Sequence, residues 1–353
     1  MGPLPAGLAV VTRVRIVFVA VITAALALTG MSVGVAGYAA SHAHIKRSSH
    51  SQRSAVTPKP HPRLYVEAGD AKYVVYSAVD TNRANSLVLY YLTRHGKPHR
   101  VTTVSANAYA FSLAGSILVY EDSNPSNPNA NATFRWRDLL TGAHGSTHGG
   151  FTATPSGWIN TTNAQGRTLE SVTVSGKVTI LGAPFPRGAQ YNTIYANGEV
   201  VAYNPTDGSG NGAAKWVSLA HPGVFHTLIS EGKAHSTAVC PNATGNRIVC
   251  AVYRGLKPSL RLYSLHGKLI VKTTHCAKGV PAVLNNLIAW VPSADHCPVG
   301  LRFVNAEGAV KTAPKPLVSG DVISALGGVV APASGDQRLI FYSSETKRRT
   351  LVS

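Results

Sequence analysis

The sequence predicts an all-β fold: seven consecutive four-stranded antiparallel blades arranged as a β-propeller, preceded by an N-terminal hydrophobic helix and a disordered linker. Three observations predict it. From Arg63 to Ser353, 291 residues carry no sustained 3.6-residue hydrophobic period. Within them a short strand, a tight turn and a second strand ending on a small or apolar residue plus an aromatic recur seven times. A second hairpin phrase lies between successive copies, which gives four strands per repeat.

Composition agrees with this reading. The chain has 353 residues, is 44% hydrophobic and only 14% charged, and holds 33 Gly and 21 Pro. That hydrophobic content excludes a disordered protein, and the scarcity of charged residues beside abundant Gly, Pro, Ser and Thr excludes a coiled coil or long helical bundle. The balance of 33 Lys and Arg against 15 Asp and Glu gives a net charge of +18.

The first element is residues 1–40. Arg13 and Arg15 precede an uncharged run from Ile16 to Ala40, most apolar from Ile16 to Leu28. The run is long enough to span a ~30 Å hydrocarbon core as a membrane anchor. Its apolar core, followed by Gly34, Ala36, Gly37, Ala39 and Ala40, equally fits a cleaved signal peptide. Both readings place the remainder outside the cytoplasm, secreted or anchored through this segment. No Cys precedes Cys240, so a lipidated cysteine is excluded. Residues 41–62 contain no carboxylate and end in a Pro-rich stretch, which reads as a basic disordered linker.

The propeller then occupies 63–353. The first-hairpin copies end at Tyr76, Tyr120, Thr161, Tyr203, Tyr253, Trp290 and Pro332, spaced by 44, 41, 42, 50, 37 and 42 residues. This is the period of propeller blades. The hairpin STAVCPNATGNRIVCAVY resembles the SPDGxxIAF phrase of TolB-like and WD40-like repeats, and Asp138-Leu139-Leu140-Thr141-Gly142 resembles the DLxTG turn of bacterial propellers. The resemblance implies architecture and no specific activity. There is no Trp-Asp dipeptide, and Gly149-Gly150 and Gly327-Gly328 lack the spacing of kelch repeats. Closure is expected by face packing of blade seven on blade one with no shared blade, unless Ser54 to Lys59 adds an outer strand.

The four cysteines, Cys240, Cys250, Cys276 and Cys297, suit disulfides in an exported chain. Cys240 and Cys250 sit on two arms of one hairpin, so the expected pairs are Cys240–Cys250 and Cys276–Cys297. A zinc site from His275-Cys276 and His296-Cys297 is the rival, disfavoured because neighbouring strand residues point to opposite faces. His144 and His148 are i, i+4 in a Gly-rich stretch where no helix would align them. Asp207-Gly208-Ser209-Gly210-Asn211-Gly212 matches half of a calcium loop, but its twelfth position is Ser218. No metal, cofactor or catalytic residue is assigned. The chain has no Gly-x-Ser-x-Gly, His-Glu-x-x-His or Walker motif, and Glu121-Asp122 reads as a loop start.

Long loops on a rigid scaffold are where binding resides. The second-to-third strand loops are longer than the hairpin turns, and they nominate Asp80, Asp122, Asn124, Asn127, Asp207, Ser209, Asn211, Arg254 and Asp295 as binding residues. The function expected is an exported or membrane-tethered binding or scaffolding module for a cell-envelope polymer or envelope protein, anionic in character. The alternative is an extracytoplasmic lyase or glycosidase at the channel mouth. Nucleic acid is disfavoured as a partner by export and by the lack of a basic, aromatic groove.

Overall fold

The computed structural model describes residues 62–83, 85–122, 133–147, 152–162, 168–184, 192–203, 213–230, 236–254, 257–293, 297–313, 321–333, 335 and 337–352. The hydrophobic segment and linker residues 41–61, which include Ser54–Lys59, lie outside them. No helix occurs among the described residues, and the strands form seven separate four-stranded antiparallel sheets, each built from consecutive strands.

Blade one is β1 (Leu64–Gly69), β2 (Tyr73–Val79), β3 (Ser86–Thr93) and β4 (His99–Ser105); blade two is β5 (Tyr109–Ala114), β6 (Ile117–Asp122), β7 (Thr133–Asp138) and β8 (His144–Thr147). Blade three is β9 (Thr152–Thr154), β10 (Gly157–Thr162), β11 (Thr168–Thr173) and β12 (Val178–Gly182); blade four is β13 (Asn192–Ala196), β14 (Glu199–Tyr203), β15 (Ala213–Ser218) and β16 (His221–Ser230). Blade five is β17 (Ser236–Thr244), β18 (Arg247–Arg254), β19 (Lys257–Ser264) and β20 (Leu269–Thr273); blade six is β21 (Pro281–Leu284), β22 (Leu287–Trp290), β23 (Arg302–Val304) and β24 (Val310–Thr312). Blade seven is β25 (Ile323–Ala325), β26 (Gly328–Pro332), β27 (Leu339–Tyr342) and β28 (Arg348–Val352).

Each of the seven recurrent end positions falls on the second strand of its blade, and the reason is burial. A blade is covered on both faces by its neighbours, so its second strand is apolar without alternation. In β2, Val74, Tyr76 and Ala78 pack with Leu339 and Phe341 of blade seven, while Val75 packs with Leu113 and Leu118 of blade two. Fourth strands lie at the periphery, and Val178 and Ile180 of β12 are exposed there. Bulges in β1, β5 and β17 interrupt the inner register, which adds the local twist a blade needs.

The ring closes by face packing. Leu64, Val66, Tyr76 and Leu92 of blade one share a core with Val330, Leu339 and Phe341 of blade seven. The approach is tight enough that a Cβ on Gly69 would stand 2.5 Å from the Cβ of Ala325. The Leu326 amide donates to the Asp70 carbonyl at 2.7 Å across the same junction.

Candidate functional site

Both expected disulfides are formed, Cys240–Cys250 with Cα atoms 3.9 Å apart and Cys276–Cys297 with Cα atoms 5.8 Å apart. The four sulfurs are therefore committed to each other rather than held as free thiolates for a metal, and His296 lies outside the described residues. The first pair crosses the β17–β18 hairpin at its bulge. The second ties the connection between blades five and six to the second-to-third strand loop of blade six. Trp290 of β22 adds an indole hydrogen bond to the Cys276 carbonyl at 2.8 Å.

The described members of the nominated loop rim lie in three blades. Asp80 accepts from the Asn82 amide at 2.9 Å, closing the turn after β2. Asp122, at the end of β6, accepts from the Ser105 amide at 3.1 Å and stands 3.4 Å from Arg135 Nε. Arg254 ends β18 opposite Lys257 and is exposed. Asn124, Asn127, Asp207, Ser209, Asn211 and Asp295 lie outside the described residues, as do His148 and the rest of the calcium-like loop. His144 begins β8, its Nδ1 3.1 Å from the Gly142 carbonyl oxygen.

Several carboxylates hold the scaffold together. The Ser77 hydroxyl donates to Glu67 at 2.5 Å, and the Tyr109 hydroxyl donates to Glu121. Burial pushes the Glu121 carboxyl above its usual range, partly offset by the Tyr109 hydrogen bond. Burial likewise raises Asp70, against the amides of Tyr73, Lys72 and Gly115 that it accepts. The Asp70 turn thus links blade seven, through Leu326, to blade two, through Gly115. For Asp138 of the DLxTG-like turn, burial is outweighed by hydrogen bonds from Leu140, Ser116 and Thr141, which hold the carboxyl below its usual range.

On the opposite rim, the first-hairpin turns of blades five, six and seven line an open cavity of about 350 Å³. Thr244, Gly245, Asn246 and Arg247 come from blade five, Val283, Asn285 and Asn286 from blade six, and Gly327 and Gly328 from blade seven. Arg247 bridges two blades: Nε donates to Asn286 Oδ1 at 2.9 Å and Nη1 to Asn246 Oδ1 at 2.7 Å. Two residues deeper in β17, the buried Asn242 donates to the Pro281 carbonyl at 2.8 Å and accepts from the Ser324 amide at 3.3 Å. The Ser324 hydroxyl in turn accepts from the Val283 amide at 2.8 Å. One side chain therefore fixes blades five, six and seven beneath the cavity. Sequence reasoning did not single out this group, because Asn and Gly at hairpin tips are explained by turn geometry alone. The recurrence of amide-bearing tips at Asn246 and Asn286, with Arg247 beside the first, is the signal that points to it.

No protein-family model matches the sequence, and no curated protein matches it. Among solved structures, the β-propeller domain of the Trilobed protease from Pyrococcus furiosus, described as having an open velcro topology, is 12% identical with a TM-score of 0.56, the alignment covering 84% of this chain and 97% of that one. A prolyl endopeptidase is 10% identical with a TM-score of 0.57 over 83% of this chain and 51% of its own. A puromycin hydrolase is 11% identical with a TM-score of 0.51 over 84% of this chain and 54% of its own. The likeness is one of fold. The chain spans about half the length of these two enzymes.

Proposed function

We propose that the chain is an extracytoplasmic binding propeller, exported or tethered by its N-terminal segment, that engages an anionic polymer or protein of the cell envelope. The observation that carries the reading is the pairing of all four cysteines into two disulfides, a feature that persists in oxidising compartments. Charge supports the anionic partner. Six of the basic residues lie before Arg63, where there is no acid, so the propeller itself keeps +12. The rigid ring holds both rims in fixed geometry, which is what a binding scaffold requires.

The test is affinity capture from envelope extract with the full chain at low and high salt, together with fractionation of cells expressing it. The expected result is recovery of the chain outside the cytoplasm and an envelope component held at low salt and lost at high salt, as screening demands. Recovery in the cytoplasm with reduced thiols, or capture that ignores salt, would overturn the proposal.

A further inference from the structure

The turn-rim cavity of blades five to seven is lined by Arg247, three asparagines and Thr244 together with Val283 and three glycines. Arginine has no acceptor, so the asparagine oxygens must face Arg247, as they do at 2.9 Å for Asn286 and 2.7 Å for Asn246. That orientation turns the amide NH2 groups of both residues away from the guanidinium. Arg247 spends Nε and Nη1 on these contacts, while Nη2 has no protein acceptor among the described residues. The Thr244 hydroxyl and the Asn285 amide, each able to donate or accept, belong to the same lining. Arg247 is its one charged residue, and no carboxylate lines it among the described residues. Asn242 below has both ends of its amide engaged and offers nothing to compete for the arginine.

From this imbalance we infer that the cavity is an oxyanion site that takes the carboxylate of a small polar ligand. Carboxylate oxygens accept from a planar guanidinium and from amide N–H groups together, and charge-assisted bonds of this kind are about twice as strong as neutral ones. The guanidinium is already held from two sides, so little side-chain entropy remains to be lost on binding. Gly245 and Gly327, where an added Cβ would meet nothing within 4 Å, leave room for a ligand body beside the charged group. The inference extends the binding-module reading to a second rim but does not depend on where the protein resides.

Isothermal titration of the purified full chain tests it, with four probes: D-glucuronate and N-acetylglycine as acids, D-glucose and N-acetylglycinamide as their neutral counterparts. At least one acid is expected to bind at least tenfold more tightly than its neutral counterpart; which acid binds tells a sugar source from a peptide terminus. Arg247→Gln is expected to weaken that binding at least tenfold. Asn286→Asp is expected to do the same without lowering the melting temperature, because it places a carboxylate against Arg247 in a folded protein. Equal binding of acid and neutral probes, an unchanged affinity in folded Arg247→Gln, or no binding of either acid would overturn the inference. Because these probes are small molecules, a failed capture from envelope extract would leave this result standing.

Discussion

Blade five meets blade six through an apolar face, a disulfide-tied connection and the Asn242 side chain, whereas blade seven meets blade one through an apolar face capped by two guanidinium groups. At the first junction Val249, Leu260, Leu262, Val283, Ile288 and Trp290 form the core. Cys276–Cys297 then pins the connecting segment, and Asn242 reaches across to Pro281 and Ser324. At the second, no strand is exchanged among the described residues, and Arg94 and Arg349 stand 5.4 and 5.2 Å from the buried Phe341 ring. The disulfide and the buried Asn242 side chain thus tie blades that the chain already joins in sequence, while the closure adds to its packing the Leu326-to-Asp70 backbone hydrogen bond and exposed Arg349 contacts to Arg94 and His95. The difference teaches that ring closure is the step most exposed to loss of a single side chain.

That contrast gives a largest effect at the closure. Phe341→Ala removes a buried aromatic from the shared core, and such truncations cost about 3–5 kcal/mol. Chemical denaturation should show this loss, with protease cutting of the open ring rising in parallel. A loss under ~1 kcal/mol would mean that packing does not carry the closure.

Replacing Cys276 and Cys297 together by Ser should cost less, about 3 kcal/mol, since the pair closes a loop of 21 residues. Reductant should then destabilise the native protein more than the double variant, which has only Cys240–Cys250 left to lose. Smaller again is Asn242→Ala. It leaves the Ser324 amide and the Pro281 carbonyl without their partner, at about 1–3 kcal/mol. If Asn242→Ala proved more damaging than Phe341→Ala, the ranking of the two junctions would be reversed.

The strands and the cysteine pairs are legible in the sequence because each has a one-dimensional cause. Burial on both faces writes an unbroken run such as Ile248–Val252 into a second strand, and two cysteines on facing arms of a hairpin can meet. The turn of blade seven shows where such reading stops. Gly327-Gly328 looks like the turn pair, yet Gly328 is used inside β26, where a Cβ would lie 2.3 Å from the Tyr342 carbonyl oxygen. The turn moves back by one, and Leu326 takes φ of 57°, a conformation costly for a large side chain, held by its burial and its hydrogen bond to Asp70. The turn-rim cavity is hidden for a related reason: its residues meet from three blades, and each alone is an ordinary turn former.

The smallest effect at neutral pH sharpens the closure from its blade-one side. Tyr76 is buried in the junction and stacks on Tyr90 at 5.4 Å. Burial, with the neighbouring Tyr90, pushes its hydroxyl up to about 12. Because the folded value lies above the unfolded one near 10, the folded state keeps its proton where the unfolded state releases it. The stability this confers is complete below pH 10 and is lost as the pH rises from there through 12. Tyr76→Phe has no proton to release, so it should match the native protein near pH 7 to within about 1 kcal/mol and lose less stability above pH 10. Denaturant titrations at pH 7 and across pH 10–12 measure this directly. Parallel alkaline limbs in the two proteins would show that Tyr76 ionises as it does in water, and that the blade seven to blade one face is wetter than its packing indicates.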